Sequence, residues 1–140
     1  MRPVDREAVV LGSGQPPSVV DAARVDAAGV AVTRRRSGGG AVHVAPDDPV
    51  WVDVWVPRGD PLWHDDVLVA PLWVGEWWRS AVATATGIAP DELAVHRGRS
   101  IPARWSSLIC FAGVGPGEVT VGADGKKVVG LAQWRSRQGA

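Results

Sequence analysis

Apolar residues fall in short clusters along this 140-residue chain, and the spacing inside each cluster separates strands from helices. Glu7-Ala8-Val9-Val10-Leu11-Gly12 is a short apolar run closed by the turn Gly12-Ser13-Gly14, which predicts a buried strand. Residues 18–28 predict a helix: Pro16 and Pro17 precede it, acidic residues lie along it and Gly29 stops it. Val30-Ala31-Val32-Thr33 predicts a strand, and residues 41–44 continue extended to a turn at Pro46-Asp47-Asp48-Pro49. Val50-Trp51-Val52-Asp53-Val54-Trp55-Val56 is apolar at nearly every position and rich in β-branched side chains, so it predicts a buried strand. In residues 64–86, Val67, Leu68, Leu72, Trp73, Trp77, Ala81 and Val82 recur at helical steps. A long helix follows, kinked or split at Pro71 and ended by Gly87. Residues 93–96 and 105–111 predict two more strands. Residues 118–121 and 127–134 predict a hairpin across Gly122-Ala123-Asp124-Gly125. Clustered strands separated by two helical segments predict an α+β domain with a mixed, largely antiparallel sheet flanked by helices.

Composition narrows the class. Apolar residues make up 46% of the chain, enough for one domain with a core over residues 1–140. Basic and acidic residues balance at 15 each, which argues against nucleic acid or a membrane surface as partner. No apolar run approaches the ~20 residues of a membrane span, and Met1-Arg2-Pro3-Val4-Asp5-Arg6-Glu7 has no signal-peptide core behind it. The single cysteine, Cys110, cannot form an internal disulfide, so a reducing cytoplasm is the simplest location. The 8 tryptophans lie on apolar faces, not in a basic stripe, so packing explains them better than base stacking.

Two runs carry candidate chemistry. Arg34-Arg35-Arg36-Ser37-Gly38-Gly39-Gly40-Ala41-Val42 places three cations, a hydroxyl and three glycines before a strand. Glycine lets the chain turn with positive φ and lets N–H groups approach a ligand closely. Successive N–H groups in such a turn form an anion-binding concavity, and arginines suit phosphate or carboxylate. A plain tight turn with solvated arginines is the other reading. Asp124-Gly125-Lys126-Lys127-Val128-Val129-Gly130-Leu131-Ala132-Gln133 opens a strand with a lysine after a turn. Lys127 is either an exposed turn residue or a cation fixed in a cleft by a rigid sheet.

Taken together, Arg34-Arg35-x-Ser37-Gly38-Gly39-Gly40-Ala41-Val42 and Gly125-x-Lys127-Val128-Val129-Gly130-x-Ala132-Gln133 resemble the lipoate–protein ligase and octanoyltransferase family. Its catalytic domain is shared with the class II biotin–protein ligases. Leu11-Gly12-x-Gly14-Gln15 is similar to the family's early strand and turn. The resemblance implies the biotin/lipoate ligase type of fold and acyl activation and transfer. Lipoate, or octanoate, would be activated with ATP and Mg2+ as an acyl-adenylate, then passed to a lysine of a lipoyl carrier domain. The glycine loop, with Ser37, Ala41, Val42, Gly130 and Ala132, would wrap the acyl-adenylate. Arg34 and Arg35 would hold phosphate or carboxylate oxygens, Lys127 would meet charge developing at the acyl carbonyl, and Val52 and Val54 would floor an aliphatic tunnel. On this basis Lys127→Ala is expected to abolish transfer with modest effect on folding, as for a charge at a cleft edge.

Cys110 opens a competing route. Ile109-Cys110-Phe111 upstream of the hairpin resembles a branch of octanoyltransferases whose cysteine is the acyl nucleophile, using an acyl-carrier protein thioester without ATP. A small buried core residue is the other reading of Cys110. The chain also departs from the family. Val44 and Ala45 stand where ligases commonly have a His-Asp pair, and His43, one residue early, is expected on the opposite strand face. Asp48 is a weak substitute for an asparagine often nearby. The chain is short for the family, which suggests a fragment, a truncated product or a reduced homologue. A degenerate, non-catalytic binding module is therefore the alternative of another class. No metal ligand set is expected: His43, His64 and His96 lack ligand spacing, and His64-Asp65-Asp66 reads as an acidic cluster at a helix start.

Overall fold

Two small sheets, joined by irregular segments, make up the β structure of this computed structural model, which describes residues 4–46 and 48–140. Asp47 of the turn expected at 46–49, and Met1, Arg2 and Pro3 of the N-terminal run, lie outside the described residues. The first apolar cluster forms β1 (Ala8–Leu11), followed by α1 (Ala22–Ala27), β2 (Ala31–Arg34) and β3 (Val42–Val44). β1 is central, parallel to β2 and antiparallel to β3, so the sheet is mixed. The second sheet is antiparallel, in the order β4 (Leu93–Val95), β5 (Val119–Val121), β6 (Lys126–Val129). Its partner is α2 (Leu72–Thr86). Leu93, Val119 and Val129 form the buried core there, with Trp78, Val82, Ile88 and Leu131 packed against them. The class is α+β, as the patterning predicts, but the strands divide between two three-stranded sheets where one was expected. Among the described residues no helix is long and apolar enough to cross a membrane.

Both helices are shorter than expected, for local reasons. Pro17 starts a 3-10 turn (Pro17–Val19), and α1 begins only after Asp21, whose carboxylate accepts from the Arg24 amide at 3.2 Å. The long helix does not run through Pro71. α2 starts just after that residue, because proline lacks the N–H an interior position needs. Gly87 ends it at φ 74°, a conformation that costs glycine little.

Two predicted strands are absent. Residues 50–56 make no ladder, and Val50, Val52, Val54 and Trp55 are exposed. A β-branched run becomes a strand only beside a partner that takes its backbone bonds. Here only Val56 finds one, exchanging bonds with Ala140 at 2.8 and 3.1 Å. Residues 105–111 coil into turns and a 3-10 segment (Cys110–Ala112). Ser106 explains the start of that coil: its Oγ accepts from the Ala103 amide at 2.7 Å, offering the backbone an alternative to a ladder. Residues 130–134 of the expected hairpin also lie outside β6.

The coiled segment ties the sheets together. The Ala41 amide donates to the Leu108 carbonyl at 2.7 Å, and the Cys110 amide donates to the Ala41 carbonyl at 3.0 Å. Gln15, buried, donates from Nε2 to the Ser107 and Leu108 carbonyls and accepts at Oε1 from the Gly12 amide. Lys127 Nζ, from β6, donates to the Cys110 carbonyl at 2.6 Å, so Cys110 stands at the seam between the first sheet and the second.

Candidate functional site

The loop between β2 and β3 is held from its carbonyl side. Arg35 Nη2 donates to the Gly38 and Gly40 carbonyls at 2.7 and 2.8 Å, and its Nη1 to the Val10 carbonyl at 3.2 Å. The Ser13 amide takes the Ser37 carbonyl at 2.9 Å. Described peptide bonds are all trans, so each N–H points opposite to the preceding C=O. Engaging the Ser37 and Gly38 carbonyls thus turns the Gly38 and Gly39 N–H groups away from those partners. The amides of Gly38, Gly39 and Gly40 meet no acceptor among the described residues. Glycine is required here twice over. Gly39 has φ 94°, and a Cβ on Gly40 would sit 2.5 Å from the Ile109 carbonyl carbon.

The arginines are engaged with the main chain: Arg35 holds loop carbonyls, and Arg34 Nη1 donates to the Gly12, Ser13 and Gln15 carbonyls at 2.8, 3.2 and 2.6 Å. Of the two, only Arg35 holds the glycine loop, beside the Gly38, Gly39 and Gly40 amides. Arg36 stacks its guanidinium over the Trp134 ring at 5.3 Å.

On the other side, Lys127 comes from β6 and is not at an exposed cleft edge. Its side chain is 3% exposed and its Nζ donates to Glu118 Oε2 at 2.9 Å and to the Cys110 carbonyl at 2.6 Å. An ammonium has three N–H groups, so one remains. The nearby Phe111 ring lies 5.0 Å from Nζ. The modest folding effect expected of Lys127→Ala is therefore overturned, since removing one partner of a buried pair strands the other charge.

A cavity of about 380 Å³ is lined by Gly38, Gly39, Gly40, Cys110, Lys127 and Ala132, among others. Residues 100–102 and 113–116 also line it, segments whose sequence carries no charged or nucleophilic signal beyond Ser100. Glu118 also lines it and was not singled out as a site residue. A signal existed, an acid directly after the turn Gly113-Val114-Gly115-Pro116-Gly117 and at the mouth of a β-branched strand. The Sγ of Cys110 lies 3.8 Å from where a Gly39 Cβ would stand.

A second cavity, about 950 Å³, shares Cys110, Leu131, Ala132 and Gln133 with the first. Trp51, Trp55, Trp63, Trp73, Trp78 and Trp134 line it. Arg34, Arg35, Ser37, Val42, Gly130 and Asp48 fall on this side, as do Val52 and Val54, which border a broad cavity and not a narrow tunnel. Ala41, by contrast, serves the seam through its pairing with residue 109.

His43 faces away from both cavities, with Nε2 2.7 Å from Glu7 Oε1 at the surface. The three residues His64, Asp65 and Asp66 accept local hydrogen bonds from the Asp66 amide, Trp63 Nε1 and the Leu68 amide. No group of three or more His, Cys, Asp or Glu side chains is placed to hold a metal ion among the described residues.

No family model matches the chain, and no curated protein matches it.

Proposed function

We propose that this chain is an acyltransferase of the lipoate–protein ligase and octanoyltransferase kind, passing a lipoyl or octanoyl group to a lysine of a lipoyl carrier domain. One observation carries the reading: the glycine amides, the Lys127 ammonium and the Cys110 thiol, distant in sequence, border the same cavity. An acyl carbonyl oxygen placed there meets unpaired N–H groups and the remaining Lys127 N–H. Attack by a carrier lysine builds negative charge on that oxygen, and each well-placed donor is worth about 10²–10³ in rate. The aliphatic tail runs past Cys110 and Ala132 into the tryptophan-lined cavity, where apolar surface leaves water.

ATP with Mg2+ would supply the activation of a free acid. The unpaired amides fit a phosphate or carboxylate, whereas Arg34 and Arg35 are already engaged and no described acidic cluster fits the metal. Cys110 supports a second route that needs neither. Its thiolate attacks the carbonyl of a carrier thioester and the carrier thiol leaves; the lysine amine then displaces Cys110 and takes the acyl group. The position of Cys110 in the wall shared by both cavities favours it. The lone thiol, free in the structure, fits a reducing cytoplasm.

The test is an anaerobic assay of lipoyl-domain acylation read by mass spectrometry. One arm supplies lipoate, ATP and Mg2+, the other octanoyl carrier protein alone. Product in the first arm identifies a ligase; product in the second, with a thioester trapped on Cys110, identifies the cysteine route. Adenylate binding without product in either arm means a non-catalytic binding module, and neither binding nor product removes the proposal.

A further inference from the structure

We infer that Glu118 is a positioning residue of this site, whose carboxylate sets the direction of the Lys127 ammonium and clamps two walls of the smaller cavity together. The inference rests on the acyl-transfer reading above. Glu118 Oε2 accepts from Lys127 Nζ at 2.9 Å and from the Gly115 amide at 2.6 Å, while Oε1 accepts from the Leu131 amide at 3.1 Å. Gly115 and Leu131 belong to separate segments that both line the cavity. Glu118 is 4% exposed, so water does not compete for these bonds.

A buried ion pair is a poor stabiliser, because a well-packed apolar pair in its place is often as stable. Cohesion alone therefore does not account for a charged pair at this point. Its specific effect is geometric. Two of the three ammonium N–H groups are taken by Glu118 and the Cys110 carbonyl, which fixes the direction of the third. Neutralising that ammonium with one carboxylate also leaves the glycine amides, which meet no acceptor among the described residues, as the uncompensated donors bordering the cavity. A carboxylate is needed for all of this. It accepts three N–H bonds at once, whereas a carboxamide must turn its own donors toward a lysine or an amide.

The experiment compares parent, Glu118→Gln and Glu118→Asp in whichever arm of the acylation assay is active. Activity is expressed per folded molecule from circular dichroism and thermal unfolding. Loss of a group that orients a reacting residue lowers rate by about 10- to 100-fold. For Glu118→Gln that loss is expected in kcat, with KM for the carrier unchanged, and Glu118→Asp is expected to recover part of it. A purely structural Glu118 lowers the melting temperature but leaves kcat per folded molecule within twofold of the parent; that result overturns the inference while leaving acyl transfer intact. If Glu118→Gln does not fold, Glu118→Asp decides alone: retaining the charge on a shorter arm, it must still lose kcat, and a parental value overturns the inference. An inactive parent overturns both readings together.

Discussion

The two cavities meet at Cys110 and are built in opposite ways. Around the smaller one, polar groups are matched to fixed partners: Glu118 to Lys127 and two amides, and Lys127 in turn to the Cys110 carbonyl. Around the larger one, the walls are tryptophans and valines on a segment without ladder bonds, several of them exposed. Hydrogen bonds are directional, so the first cavity holds donors at set positions. Apolar contact is not, so the second accepts a range of chains by area. On the proposed acyl-transfer reading, polar chemistry belongs in the first region and selection of the tail in the second. Substitutions in the first should cost stability and turnover together; those in the second should change preference and little else.

The sharpest way to break that contrast is Lys127→Ala. It leaves the Glu118 carboxylate buried with no counter-ion, so about 3–5 kcal/mol of stability should go, along with acyl transfer. Urea unfolding measures the first and the lipoyl-domain assay the second. A stability loss below 1 kcal/mol would mean that water reaches Glu118 and that the pair is not buried as its 3% and 5% side-chain exposures imply. Glu118→Gln combined with Lys127→Met tests the same point from the other side. Removing both charges should restore most of the stability and none of the activity.

Gly40→Ala comes next. The new methyl would meet the Ile109 and Cys110 backbone at 2.5 and 2.7 Å, and that backbone is held in place by its bonds to Ala41. Overpacking of this kind costs about 1–3 kcal/mol. The expected result is a lower melting temperature and a displaced glycine loop. Gln15→Ala, remote from the reacting atoms, should cost about 1–3 kcal/mol, because a buried amide and two carbonyls lose their partner. Equal thermal stability in that variant would show that the seam is held by Ala41 alone.

The sequence was legible where local pattern and local structure coincide. The apolar runs of β1, β2, β4 and β5 each sit beside another strand, so periodicity and pairing agree. Residues 50–56 carry the same pattern, yet only Val56 meets an edge, at Ala140, and pattern alone cannot supply one for the rest. The glycine run and Lys127 each have an ordinary reading as turn residues, and they could be singled out only because the two runs occur together in one chain. The engagement of Arg34 and Arg35 could not. A guanidinium serves a carbonyl as readily as a phosphate, and only the path of β1 decides which it meets. Glu118 was hidden for a similar reason: its three donors come from residues 115, 127 and 131, which become neighbours only when the hairpin closes.

The smallest effect on stability, and the most direct probe of the second region, is expected from Val54→Ser. Val54 is 40% exposed and lies in the segment without ladder bonds that borders the larger cavity. A surface change of this type stays within about 0.5 kcal/mol, so unfolding curves should nearly superimpose. A lost apolar contact on the tail should still register as a few-fold fall in kcat/KM for long acyl groups relative to short ones, since each methylene in an apolar pocket is worth about 1–3 kcal/mol at most. The ratio of octanoyl to hexanoyl transfer measures it. An unchanged ratio would place the tail somewhere other than the tryptophan-lined cavity. A large loss of stability would mean that residues 50–56 are packed as part of the fold, and the division between a rigid polar region and an adaptable apolar one would fail on its apolar side.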